Sequence, residues 1–166
     1  MLVRTHAVFA TIFVAATYVL VHGPPHHCDL GIVLAAVAGC VGGVVPDLFH
    51  GSGGRAFASH SLVTAPIMAL AAALMIGIPT TVVLGALRGM EPWLVLWVAE
   101  QVYPYALAGV YTHLLLDAFT ENGVYVSPGL RARVAGARFD DPSVNWAAVA
   151  ACIAYAVAVA GYVAAP

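Results

Sequence analysis

The chain has 166 residues, 62% of them hydrophobic and 8% charged, with a formal net charge of −2. Soluble domains carry about 25% charged residues, so this composition belongs to a membrane protein with little mass outside the lipid. All six basic residues are arginines, and the slightly acidic balance gives no electrostatic footing for nucleic acid.

Arg4 precedes an apolar run over 7–21, as in a signal peptide, but His22-Gly23-Pro24-Pro25 makes a poor small-x-small cleavage site. A retained first helix over 6–21 is expected. Further spans are predicted over 30–45, 61–78 (extendable to 87) and 145–164. Pro46 should end the second of these. The stretch 92–119 exceeds the roughly 20 residues that a bilayer requires. Pro104 should kink it, with Glu100 and Gln101 interfacial or packed in the bundle and 105–119 entering the membrane. A polar loop fills 120–144. The fold expected is all-α, a polytopic membrane bundle of about five transmembrane helices forming one domain over 1–166.

With five spans, Arg4, Arg55, Arg131, Arg133 and Arg138 fall on one face and only Arg88 on the other. The positive-inside rule makes the first face cytoplasmic and places the N-terminus inside, in a cell (inner) membrane. The loop 120–144 is then cytoplasmic. Cys28, Cys40 and Cys152 are odd in number and lack paired spacing, so neither a disulfide framework nor a zinc-thiolate motif is indicated.

The same topology gathers six residues of metal-ligand type at that face. His6 opens the first helix, Asp47 and His50 follow the second, His60 opens the third, and His113 and Asp117 close the fourth. Ionisable groups are costly near a bilayer, so a cluster at one depth points to a built site. His113 and Asp117 are four residues apart, one helical turn on one face. Singly, each residue has an ordinary reading as a helix cap or a water-facing group. Together, four histidines and two aspartates form a nitrogen/oxygen donor set for one divalent metal with supporting partners, or for two bridged by a carboxylate, zinc first, with manganese or iron as alternatives. Such an ion lowers the pKa of a bound water toward about 7. Asp47, His60 and Asp117 are the candidates for proton movement. Thr5, Ser59, Ser61, Thr112, Thr120 and Asn122 share the level and can orient ligands or bind substrate.

Pro46-Asp47-Leu48-Phe49-His50, Ser59-His60-Ser61 and Tyr111-Thr112-His113-Leu114-Leu115-Leu116-Asp117-Ala118-Phe119-Thr120 carry a resemblance. With Glu121-Asn122-Gly123-Val124, Ser127-Pro128 and His6, they resemble the signatures of the YdjM-type family of membrane-bound metal-dependent hydrolases, over roughly 4–128. The resemblance implies a small helical membrane protein with a metal site and hydrolase activity. The chain departs from the pattern at Phe49, where an acidic residue usually stands. It also departs at Arg55-Ala56-Phe57-Ala58, where a basic stretch is eroded, and at Asn145, where an acidic residue often opens the last helix. The lost oxygen donor at Phe49 favours one ion over two.

The leading functional expectation is hydrolysis of an ester or phosphoester in an amphiphilic, lipid-like substrate, with Arg55, Arg131 and Arg133 available to a phosphate. The same arginines serve equally as topological anchors. Two other classes compete. One is a metal-ion or proton transporter using His26, His27 and Glu100, although Glu100 lies 17 residues from Asp117, about 25 Å along a helix. The other is a non-catalytic membrane protein whose metal staples helix ends. His22, His26, His27 and Asp29 also make a metal-like group in the opposite loop, read more simply as a solvated turn.

Overall fold

The computed structural model describes residues 1–25, 29–49, 56–88 and 93–165. His50 and Arg55, and with them His26 and His27, lie outside the described residues. Among the described residues there are five helices: α1 (Val3–His22), α2 (Leu30–Leu48), α3 (Ala65–Arg88), α4 (Leu94–Ala118) and α5 (Pro142–Val163). A short hairpin, β1 (Val124–Ser127) and β2 (Leu130–Ala132), follows α4. The fold is an all-α membrane bundle. Helices α1, α2, α5 and the Ala65–Val83 part of α3 are long and apolar enough to cross a membrane.

Helix α4 is different. It carries Glu100, Gln101, His113 and Asp117, and it packs against α1, α2 and α3. Its 25 residues would extend about 37 Å at 1.5 Å per residue, enough to span. His113 and Asp117 are tolerated here because both are fully buried on the face that packs against neighbouring helices. Small residues make this close packing possible. A Cβ added to Gly42 would overlap the Ala106 carbonyl oxygen, and one on Gly109 would overlap that of Gly39. Toward α1, a Cβ at Gly43 would come within 2.6 Å of the Ala10 Cβ and 3.0 Å of the His6 carbonyl oxygen. Helices meet through small residues in lipid because dispersion, not hydrophobicity, holds them together. Here those contacts set both α1 and α4 against the Gly39–Gly43 stretch of α2.

Three expectations about boundaries are corrected. Pro46 does not end α2, which continues to Leu48 and carries Asp47 within its last turn. Proline deprives the backbone of one donor, and inside a bundle neighbouring groups can compensate for the loosened turn. His60 does not open α3, which starts at Ala65. The chain around it pairs with the hairpin instead: Tyr125 N–H donates to the His60 carbonyl at 2.9 Å, and Leu62 N–H to the Tyr125 carbonyl at 3.2 Å. Helix α5 starts at Pro142 rather than 145, because Asp141 caps it by accepting from Ser143 N–H at 2.8 Å and Pro142 supplies a preset φ. The Ser143 hydroxyl and amide hold the half-buried Asp141 carboxyl below the usual carboxylate range.

The segment 120–144 holds the hairpin rather than a plain loop. Gly129 has φ 83°, the value that the second central residue of a type II turn requires after Pro128. Val124 pairs with Ala132 and Tyr125 with Arg131.

Candidate metal centre

Alternating helix directions bring the start of α1, the end of α2, the residue before α3 and the end of α4 to one end of the bundle. His6, His60, His113 and Asp117 are all fully buried there. Asp47 is slightly open, with 8% of its side chain exposed.

The donor atoms converge. His113 Nε2 lies 3.2 Å from His60 Nε2, 3.3 Å from Asp117 Oδ2 and 3.8 Å from Asp47 Oδ1. His60 Nε2 is 3.5 Å from both Asp47 Oδ1 and Asp117 Oδ2. The opposite ring nitrogens are occupied. His113 Nδ1 donates to the Gly43 carbonyl at 2.8 Å. His60 Nδ1 lies 2.8 Å from Ser59 Oγ, whose own proton is directed at the Ala56 carbonyl at 3.4 Å. The Gly43 carbonyl assigns a proton to His113 Nδ1 and leaves its Nε2 lone pair facing His60 Nε2 at 3.2 Å, where a cation or a proton can lie between the two nitrogens. Donors bound to one zinc at about 2.1 Å have this spacing when they subtend about 100°, so the residues fit an ion.

The two possible donor triads, His6/His113/Asp117 and Asp47/His60/His113, share His113. With Nδ1 committed to Gly43, His113 has one lone pair and can bind only one ion. An ion held through His113 therefore fills one triad or the other, not both. His6 falls on the far side of Asp117: its Nε2 is 3.2 Å from Asp117 Oδ1, and its ring stacks on His113 with centroids 3.9 Å apart. Neither His6 ring nitrogen makes a hydrogen bond of good geometry, and both are buried. The amino group of Met1 also reaches Asp117 Oδ1, at 3.2 Å.

The hydroxyls at this level divide. Ser59 holds a histidine, whereas Thr112 donates to the Gly109 carbonyl of its own helix and Thr120, just past α4, donates to the Asp117 carbonyl. Thr5 Oγ1 donates to Asn145 Oδ1 at 2.6 Å. Ser61 Oγ accepts from Val63 N–H within its own turn, at 3.1 Å. Asn122 meets Arg131 through its carbonyl. Arg131 and Arg133 sit on the exposed hairpin. Arg131 stacks over the Tyr125 ring at 4.2 Å, and Arg133 donates to the Glu121 carbonyl at 3.3 Å. Glu100 is exposed on α4, in its N-terminal third and away from the cluster.

Asn145 explains one departure from the expected pattern. Its Oδ1 accepts from Thr5 and from Leu2 N–H, while its Nδ2 donates to the Phe139 and Asp141 carbonyls at 3.0 and 2.7 Å. An aspartate could do only the accepting half. Asn145→Asp should therefore destabilise the α1–α5 joint by about 1–3 kcal/mol, read as a lower midpoint of unfolding in detergent.

The Gly43 carbonyl is the partner that sequence reasoning missed. The available signal was Gly39-x-x-x-Gly43, a small-residue spacing that marks close helix contact. No family model, curated protein or solved structure matches the chain.

Proposed function

We propose that this protein is a membrane-embedded, metal-dependent hydrolase that cleaves an ester or phosphoester of an amphiphilic substrate at the cytoplasmic interface of the cell membrane. The observation that carries the reading is the convergence of Asp47 from α2, His60 from before α3, and His113 and Asp117 from α4, with the two histidine Nε2 atoms 3.2 Å apart and 3.3–3.8 Å from the carboxylate oxygens. Two imidazoles and two carboxylates suit zinc, and the shared His113 favours one ion.

A bound zinc would activate water and polarise the scissile carbonyl or phosphoryl oxygen. The chain's own residues do the rest. Gly43 and Ser59 fix the orientation of His113 and His60, as carbonyl and hydroxyl partners do for metal-ligating imidazoles. Asp117 ties the two rings to His6. Asp47, the member nearest solvent, is placed to take a proton from an incoming water. Burial of the remaining groups keeps bulk water away from the reacting atoms.

Sidedness rests on arginine. Arg4, Arg131, Arg133 and Arg138 lie at the same end as the cluster, and Arg88 closes α3 at the other, which supports the cytoplasmic assignment. A site at headgroup depth supports an amphiphilic substrate, as does the resemblance to the YdjM-type hydrolases.

The test is turnover. Purified protein loaded with zinc should hydrolyse a lipid phosphate or ester, and Asp47→Asn should lower the rate by about 10²–10⁴-fold. Metal flux into liposomes that depends on Glu100, without hydrolysis, would support transport instead.

A further inference from the structure

The seam between α1 and α5 carries two clefts in line. The upper one, about 320 Å³, lies at the metal-centre end and is lined by Leu2, Arg4, Val8, Asn145, Trp146 and Val149 among others. The lower one, about 350 Å³ and almost wholly apolar, is lined by residues that include Ile12, Ala15, Val19, Ala156 and Ala160. On α1 the stripe Arg4, Val8, Thr11, Ala15, Val19 advances by three or four residues, and on α5 Pro142, Trp146, Val149, Ala156, Ala160 does the same except for one step of seven, two turns, from 149 to 156. Each stripe occupies one helix face, so the clefts share one side of the bundle.

Polarity is graded along this seam. Asp140 borders the upper cleft but is paired with Arg138 at 3.2 Å. Arg4 is exposed and has no carboxylate partner among the described residues. Trp146 is 73% exposed beside it, at the depth where amphipathic rings anchor to headgroups. Thr5, adjacent to His6, joins Asn145 at the cleft wall.

We propose that the α1–α5 seam is a binding site for an anionic phospholipid, with its phosphate against Arg4 and one acyl chain along the apolar cleft. The idea that this lipid stands in line for the metal centre rests on the hydrolase reading. Binding does not.

Trp93→Phe/Trp97→Phe leaves Trp146 as the one tryptophan, and brominated acyl chains quench it on contact. In bilayers, brominated phosphatidylglycerol should compete for this site about fivefold better than brominated phosphatidylcholine, the preference expected of one arginine near an anionic headgroup. Arg4→Gln should bring the ratio to about one, and Arg4→Lys should retain most of it. His113→Ala should lose metal yet keep the preference, which separates failure of the lipid site from failure of the hydrolase. Equal quenching by both lipids in the parent overturns the proposal, as does a preference that survives Arg4→Gln. Protection of Trp146 from both lipids, as a second copy seated on the seam would give, also overturns it.

Discussion

His113→Ala should cost the protein its metal. This residue contributes the one imidazole nitrogen common to both donor triads, and its ring is held between the Gly43 carbonyl and the His6 ring. Changes to the partners of a metal ligand typically cost 10–100-fold in affinity, and removal of the ligand itself should exceed about 100-fold. Loading with zinc and measuring the metal retained after gel filtration checks this. The companion variant is Ser59→Ala, which leaves every donor in place and removes only the partner of His60 Nδ1. It should fall within the 10–100-fold range. Equal retention by the parent and both variants would remove the histidines from the site.

Gly42→Ala should be the most damaging single methyl in the bundle. The new Cβ would overlap the Ala106 carbonyl oxygen, a backbone atom that no side-chain rotation can move aside. Overpacking of this kind costs about 1–3 kcal/mol, and occasionally more where backbone meets backbone. The damage should also reach the metal. Gly43, the next residue, holds His113, and Gly109 on α4 lies one turn before it. Pushing α4 away from α2 therefore moves a ligand, and zinc affinity should fall together with thermal stability. Gly161→Ala is the control, since nothing lies within 4 Å of its added Cβ. Its effect should stay within about 0.5 kcal/mol, with metal binding unchanged.

The contrast between these two glycines bears on what the sequence discloses. Helix number, order and alternation were legible because long apolar runs have few alternative explanations in a chain this poor in charge. That alternation alone predicted that His6, Asp47, His50, His60, His113 and Asp117 would share one end of the bundle; His50 lies outside the described residues, and the other five lie together there. His113 and Asp117 were the clearest pair, since spacing within one helix needs no knowledge of tertiary structure.

Local backbone chemistry was read less well. Asp141-Pro142 is an N-cap followed by proline, yet apolarity drew attention to the residues after it. Val124-Tyr125-Val126 before Ser127-Pro128-Gly129 carries a hairpin signature, but the polar surroundings made it look like loop. Pro46 was read by its usual helix-breaking effect, which weakens where other helices surround the turn. The distinction between His6 and the inner donors lay beyond any spacing rule. It depends on which oxygen of Asp117 each ring approaches, and packing alone decides that.

The measurement that tests the account most directly is metal stoichiometry and ligation in the wild-type protein, by elemental analysis and X-ray absorption on the same sample. The account predicts about one zinc per chain, bound by nitrogen and oxygen donors with two imidazoles. Protein that stays metal-free after growth in excess zinc and manganese, or zinc bound through sulfur, would contradict it.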